Sequence, residues 1–226
     1  MILAAGRGER MRPLTDYTPK PLLVVGGKPL IVWLMQSLGA AGFTRVVINH
    51  AYLGAQIEAY LGNGAAFGVE IAYSHEITAL ETAGGIAHAL PLLGDEPFLV
   101  VNGDIWTDYD FTHICNCGLA AGQLAHLVLV DNPEHNPQGD FGLDNGLVQS
   151  DASSRLTFSG IGCYHPAMFA DIPGTMPAKL APLLRSAMQR GQVSGEYHAG
   201  RWYDIGTPVR LQELDAMLLD DMRGGV

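Results

Sequence analysis

Basic residues, cysteines and long apolar runs are all scarce in this chain, and each shortage removes a class of explanation. Thirteen Lys and Arg face 23 Asp and Glu, a formal net charge of −10. An acidic chain repels nucleic acid and anionic membranes unless its cations are gathered at one place. Only three cysteines occur, Cys115, Cys117 and Cys163. Their odd count and C-x-C spacing fit neither a zinc ribbon nor a redox C-x-x-C pair, so free thiols in a reducing cytoplasm are expected. None of the eight His stands in H-x-x-x-H or H-E-x-x-H spacing, so no zinc site is expected. No apolar run reaches 18 residues, which predicts no membrane span. The N-terminus lacks the basic, apolar, small-residue order of a secretory signal. It opens inside what reads as the first strand, so either that strand is short or a few residues precede it. No internal repeat, low-complexity run or linker appears. The 226 residues suit one large α/β domain, or one domain with a small appendage. A hydrophobic share of 48% supplies a core.

The cations that do occur are gathered. Arg7, Arg10, Arg12, Lys20 and Lys28 are five of the thirteen. They follow an apolar run, Met1 to Ala5, that stops at glycine and reads as a buried strand ending in a tight turn. Gly6 and Gly8 carry no Cβ, so a ligand can approach the main chain closely. Successive N–H groups of such a turn form an anion-binding concavity. A cationic loop in an acidic chain points to a small phosphorylated ligand rather than a nucleic-acid backbone. The dinucleotide fingerprint G-x-G-x-x-G fails at Met11, and the P-loop pattern is absent.

Beyond the loop, strand and helix alternate. Pro29 to Ala41 is apolar at helical spacing, with Gly42 as a C-terminal cap. Arg45 to Asn49 reads as a strand apolar on both faces. Leu53, Ile57 and Leu61 mark a helix ending at Gly62, and Val69, Ile71 and Tyr73 a third strand. Gly84 to Leu93 reads as a helix, Phe98 to Asn102 as the most apolar strand, and Leu124 to Asp131 as the next. This order predicts an α/β fold: a mostly parallel, Rossmann-like sheet with helices on both faces and right-handed crossovers. The rhythm then changes. Asp144-Asn145-Gly146 predicts a hairpin. Leu156 to Tyr164 is a strand, Leu180 to Met188 a helix, Tyr197 to Ile205 a strand plus loop. Pro208 to Asp221 is a closing helix with Pro208 in its first turn. The second half reads as a small α+β lid on the sheet, within a single domain, 1–226.

In open α/β sheets, ligands bind beyond the carboxyl ends of the strands. The Gly/Arg loop, Ser74 to Gly85 and Asn102-Gly103-Asp104 should therefore converge. Asp104 is placed to hold a cation or to serve only as a turn or cap residue; Mg²⁺ takes one or two carboxylates plus substrate phosphates. Asp108 and Asp110 read as turn and N-cap residues before Phe111. Asp204, before Gly206-Thr207-Pro208, is by itself no more than a turn residue.

Taken together, the pattern G-x-G-x-R-M-x-P-L-T from Gly6 to Thr15, Pro19-Lys20-Pro21, the Gly103-Asp104 pair after an apolar strand and Trp202 to Pro208 resemble the sugar-1-phosphate nucleotidyltransferases. The resemblance covers essentially the whole chain. It implies a nucleotide-binding part over 1–131 and a sugar-binding part over 132–226. It implies Mg²⁺ on Asp104 and Asp204, with Lys20, Arg12 and Asp104 as the catalytic set. Nucleotide contacts would come from Ala4, Ala5, Gly6, Arg7, Gly8, Lys20, Thr82, Gly84, Gly85 and Asn102. Sugar-phosphate contacts would come from Ile105, Asp140, Ser159, Gly160, Glu196 and Trp202. Several of these have plainer readings: Asp140 as a turn cap, Glu196 as surface, Trp202 as core.

Leu80 to Gly85 resembles the family's L-G-T-A-G segment, but Glu81 stands where many relatives carry glycine. That variant, with Ile48 to Gly54, Val101 to Phe111 and Gly191 to Glu196, is similar to the N-acetylmuramate 1-phosphate uridylyltransferase branch. The branch implies UTP and a sugar 1-phosphate as substrates, peptidoglycan recycling, and a cytoplasmic enzyme without nucleic-acid or membrane partners. The E-K-P segment of glucose and mannose enzymes, whose lysine helps hold the sugar phosphate, has no counterpart between Gln149 and Phe158. Three rival readings stay open. One is a glucose- or mannose-1-phosphate thymidylyl- or guanylyltransferase. Another is a non-catalytic nucleotide-sugar sensor, whose mark would be loss of Lys20 or an aspartate. The third is a generic Rossmann cofactor binder, for which a glycine is missing. No hexapeptide repeat is present, so no appended β-helix is expected; without that trimer device, monomer and dimer both stay open.

Overall fold

Glycine and proline set the limits of most elements, and the apolar stretches between them fill in as the periodicity predicts. The computed structural model describes residues 1–117 and 119–224. In chain order the elements are β1 (Ile2–Leu3), β2 (Val24–Val25), β3 (Lys28–Pro29), α1 (Leu30–Ala40), β4 (Arg45–His50) and α2 (Gly54–Leu61). Next come β5 (Glu70–His75), α3 (Glu81–Leu93), β6 (Phe98–Asn102), β7 (Ile105–Thr107), α4 (Thr112–Cys117) and β8 (Ala125–Val130). The chain closes with β9 (Gly142–Asp144), β10 (Leu147–Gln149), β11 (Thr157–Tyr164), α5 (Leu180–Gln189), β12 (Val193–Tyr197), β13 (Trp202–Asp204) and α6 (Pro208–Gly224). None of these helices is long and apolar enough to cross a membrane.

By contact the chain divides into two units that interleave in sequence. The first takes Ile2–Ala79, Asn102–Phe111 and the chain from Trp202 onward; the second takes Met1, Leu80–Val101 and Thr112–Arg201.

In the first unit β1, β4 and β5 run parallel, with Ile2 opposite Ile48 and Ile48 opposite Tyr73. β4 is buried from Val46 to His50, as a parallel strand covered on both faces must be. β7 and β13 form an antiparallel pair, with Trp106 opposite Tyr203 and Ile105 opposite Asp204. Beneath them lies an apolar cluster that sequence order does not reveal. Met11, Leu23, Val25 and Leu30 meet Trp106, Ile205, Leu211, Leu214 and Leu218. The last three recur at helical spacing along α6. Trp106 meets Trp33 edge-on at 6.2 Å and Tyr203 at 6.0 Å. Each fully buried side chain of this size contributes roughly 1.5–3 kcal/mol, more than a typical hydrogen bond at about 1 kcal/mol. Apolar packing therefore sets where β7 and β13 lie. The β2–β3 hairpin turns at Gly26-Gly27, and a Cβ on Gly26 would sit 2.8 Å from the Trp33 ring and 2.9 Å from Leu218.

In the second unit the strand directions are mixed. β11 is antiparallel to β6 and β8, β12 is parallel to β8, and β10 is antiparallel to β12 and β9. The predicted hairpin is present: Asn145 and Gly146 both take positive φ, 48° and 78°, the two-residue turn that matches strand twist. β11 carries a register shift between Phe158 and Ile161, where Gly160 has φ 80°. The architecture is thus α/β, with parallel strands, connecting helices and the antiparallel additions expected of the second half. Cys163 is free and buried; the side chains of Cys115 and Cys117 lie outside the described residues.

Candidate active site

The loop after β1 is built by its own side chains. Gly8 adopts φ 65°, and a Cβ there would lie 3.0 Å from Thr15 Cγ2 and 3.3 Å from Lys20 Cβ. Its carbonyl accepts from the Thr15 hydroxyl at 2.8 Å and from Met11 N at 2.9 Å, closing the turn over Glu9–Met11. Gly6 has nothing within 4 Å of its Cβ position, so the loop is open on that side. The Arg7 guanidinium lies 5.0 Å from the Tyr52 ring centre, and the Tyr52 hydroxyl donates to Asp16 O at 2.9 Å. Arg12 Nε pairs with Asp16 at 3.2 Å, both half in solvent. An exposed pair of this kind holds little energy and yields readily to a stronger anion.

The base of the loop is fixed from beneath. Ala4 N donates to Asn49 Oδ1 at 2.9 Å, and Asn49 Nδ2 donates to Glu76 Oε1 at 2.6 Å. Asn49 and Glu76 are 3% and 2% exposed. Neither was singled out in the sequence, although polar residues ending or following two apolar strands were the available signal.

Three further segments reach this loop. Gly103 N donates to Leu3 O at 2.8 Å, and a Cβ on Gly103 would stand 2.6 Å from the same oxygen. Only glycine allows so close an approach, and it brings Asp104 beside the end of β1. The buried Lys20 ammonium pairs with Asp104 Oδ2. Asp204 arrives from the far end of the sequence: Ile205 N donates to Asp104 O at 2.8 Å, and Asp204 lies opposite Ile105. The two aspartates thus stand on neighbouring segments. Asp204 Oδ1 is 2.5 Å from Arg210 Nη1. The sequence pattern did not point to Arg210; the signal would have been a cation in the first turn of the helix that begins at Pro208.

Both carboxylates keep part of their surface in solvent, 41% for Asp104 and 26% for Asp204. Carboxylate oxygens beside a cationic, amide-rich loop fit a hard divalent cation that takes oxygen ligands. Among the described residues no group of three or more His, Cys, Asp or Glu is arranged for a metal. A cation held by Asp104 and Asp204 would therefore complete its shell with phosphate oxygens and water, as Mg²⁺ does.

The remaining sequence candidates divide. Asn102 is half-buried, and Ile105 is 1% exposed, so its side chain is covered. Tyr203 packs on the apolar cluster; strand alternation turns Trp202 to the side that carries Asp204. In the other unit, Thr82, Gly84 and Gly85 lie in the first turns of α3. Gly84 was expected to admit a ligand. The close approach there is made by the chain itself: a Cβ would meet Met176 O at 2.5 Å, and Ala83 N and Gly84 N donate to Ala178 O. Asp140 Oδ2 accepts from Phe158 N at 2.9 Å, which fixes the start of β11. Ser159 is 1% exposed and its hydroxyl donates to Val128 O at 2.7 Å. With Gly160 it forms the β11 irregularity. Glu196 lies on β12, two residues from Ser194, which faces His126.

Comparisons with known proteins identify the family. The family model described as nucleotidyl transferase matches residues 1–221. The chain is 58% identical over 223 residues to the N-acetylmuramate alpha-1-phosphate uridylyltransferase of Neisseria meningitidis, covering 96% of each chain. It is 35% identical to the protein of the same name from Caulobacter vibrioides, over 97% of this chain and 96% of that one. A crystal structure of a putative glucose-1-phosphate thymidylyltransferase from Bacillus anthracis superposes with a TM-score of 0.84 at 24% identity, over 97% of this chain and 94% of that one, and shares the fold. With a family model matched over residues 1–221 and relatives at 58% and 35% identity over nearly their whole length, this chain belongs to the nucleotidyl transferase family.

Proposed function

We propose that this chain transfers the uridylyl group of UTP to N-acetylmuramate 1-phosphate, releasing pyrophosphate, in the re-use of cell-wall sugar in the cytoplasm. The observation that carries the reading is the junction of Lys20, Asp104 and Asp204 at the mouth of the Gly6–Gly8 loop. The 58% identity to the Neisseria protein supports the choice of base and sugar.

The reaction needs little covalent help from the protein. A phosphate oxygen of the sugar 1-phosphate attacks the α-phosphorus of UTP. The new P–O bond forms as the bond to the β-phosphate oxygen breaks. The attacking group is already an anion, so no strong general base is required. The protein must bring two anions together and offset their charge, which is catalysis by positioning and electrostatics. Lys20 lies by the α-phosphate, preorganised by Asp104. Arg12, released from its exposed pair with Asp16, and the Gly6–Gly8 amides hold the β- and γ-phosphates. Asp104 and Asp204 would hold Mg²⁺, which when bound would supply neutralisation of phosphate charge. Asn49, braced by Glu76, keeps the loop's first residue in register.

Pyrophosphate release with Mg²⁺, measured over UTP, dTTP and GTP against N-acetylmuramate, N-acetylglucosamine, glucose and mannose 1-phosphates, tests the reading. The expected result is the highest kcat/KM for UTP with N-acetylmuramate 1-phosphate. A higher value for a hexose 1-phosphate with dTTP or GTP would move the chain to that class, and no turnover with any pair would leave a nucleotide-sugar sensor. Lys20→Ala should lose orders of magnitude in kcat with an unchanged circular dichroism spectrum. Near-normal turnover in that variant removes Lys20 from the mechanism.

A further inference from the structure

A sugar 1-phosphate brings negative charge toward two aspartates, so it needs a cation of its own. Lys20 is engaged with Asp104, on the side assigned to the nucleotide. Lys20, Lys28 and Lys179 are the only lysines in the chain, so none stands between Gln149 and Phe158. The first unit provides cations elsewhere. Arg210, in the first turn of α6, reaches back to Asp204 with Nη1 at 2.5 Å. Its guanidinium lies across Gly206, where any Cβ would overlap it. Arg10, from the cationic loop, places Nη2 3.4 Å from that same point. The absence of a side chain at Gly206 therefore lets two guanidinium groups, from opposite ends of the sequence, converge beside Asp204.

Two guanidinium groups converging beside Asp204 attract a further anion that sits with them. Guanidinium also has the right shape: its planar fork matches a phosphate with two parallel N–H···O bonds, which a lysine cannot reproduce. A carboxylate on one edge of that fork fixes its direction before the ligand arrives.

We propose that Arg210, flanked by Arg10, receives the phosphate of the sugar 1-phosphate. Each aspartate then stands beside the cation for one reactant: Lys20 at Asp104 for the nucleotide, Arg210 at Asp204 for the sugar phosphate. This rests on the sugar-1-phosphate reading above.

The test is steady-state kinetics of wild type, Arg210→Ala, Arg210→Lys and Arg10→Ala, varying UTP and N-acetylmuramate 1-phosphate separately. Binding of the sugar phosphate is measured alongside by calorimetry. Arg210→Ala should raise the KM and the calorimetric Kd for the sugar phosphate about 10- to 100-fold, with the KM for UTP unchanged. Arg210→Lys should recover part of that loss, and Arg10→Ala should show a smaller rise in the same constant. A rise in the UTP constant instead, or a fall in kcat with the sugar-phosphate constant unmoved, overturns the inference; the second result would make Arg210 a support for Asp204. If Arg210→Ala does not fold, the lysine and Arg10 variants decide by the same criterion. Absence of turnover in the wild type refutes the functional reading and this inference with it. Wild-type turnover with an unmoved sugar-phosphate constant refutes this inference alone.

Discussion

Glu81 opens α3 with φ 60°, in the left-handed region that side chains other than glycine avoid. Holding an L-residue there costs about 1–2 kcal/mol, and glycine gives back roughly half of that relief through its larger entropy loss. Glu81→Gly should therefore raise stability by about 0.5–1 kcal/mol, a Tm increase near 2 °C for a chain of this size. Strain of this kind persists where it serves function, so kcat/KM for UTP should fall in the same variant. A lower Tm would show instead that the carboxylate makes a contact worth more than the strain. The sequence marked position 81 as a departure from the glycine of many relatives. It did not carry the reason: Ala178 clamps the turn, donating to Leu80 O and accepting from Ala83 N and Gly84 N. That clamp comes from nearly a hundred positions downstream, and no local pattern announces it.

At the scale of elements, legibility followed length and partner. α1, α2, β4, β6 and the Asn145-Gly146 hairpin were readable because their periodicity and turn residues are local. The β2–β3 pair and β7 were not, since two or three residues carry no period and such strands exist only through what packs on them; β13 falls inside the Tyr197 to Ile205 reading, but its pairing with β7 was not legible. β12 was also missed: Gly195 breaks its alternation, yet a Cβ there would lie 2.8 Å from Leu127 O. The β8–β12 pair sets His126 against Ser194, with Nδ1 and Oγ 2.9 Å apart. Burial pushes His126 below its usual 6.5, and nearby Glu196 pulls it part of the way back. Protonation then favours the unfolded chain. The pair's contribution is constant above about pH 6.5 and shrinks as pH falls below it. Urea unfolding at about pH 7.5 and 5.5 should show a larger loss of stability for wild type than for His126→Gln. Equal losses would mean that another group titrates.

Across the molecule, one apolar cluster ties the first thirty residues to the last helix; Asp204 ends one of the strands it holds and Asp104 immediately precedes the other. A ligand that grips the Gly6–Gly8 loop should accordingly stabilise that whole unit. With UTP and Mg²⁺ at a hundredfold excess over Kd, linkage gives about 2.7 kcal/mol, a Tm rise of about 5–10 °C. A chelator should remove most of the rise. A shift that persists in the chelator would take the metal out of the nucleotide site.

By itself the amino-acid order determined the alternation of strand and helix and the glycine loop with its cations. Each of these is written in neighbouring residues, where spacing and backbone freedom act locally. Tertiary structure alone decided that Asp204 stands beside Asp104, that Arg210 and Arg10 meet over Gly206, and that Gly84 packs against Met176 and Ala178. Those outcomes depend on which distant apolar surfaces bury one another, and hydrophobic burial is non-directional, so it leaves no mark in the local sequence.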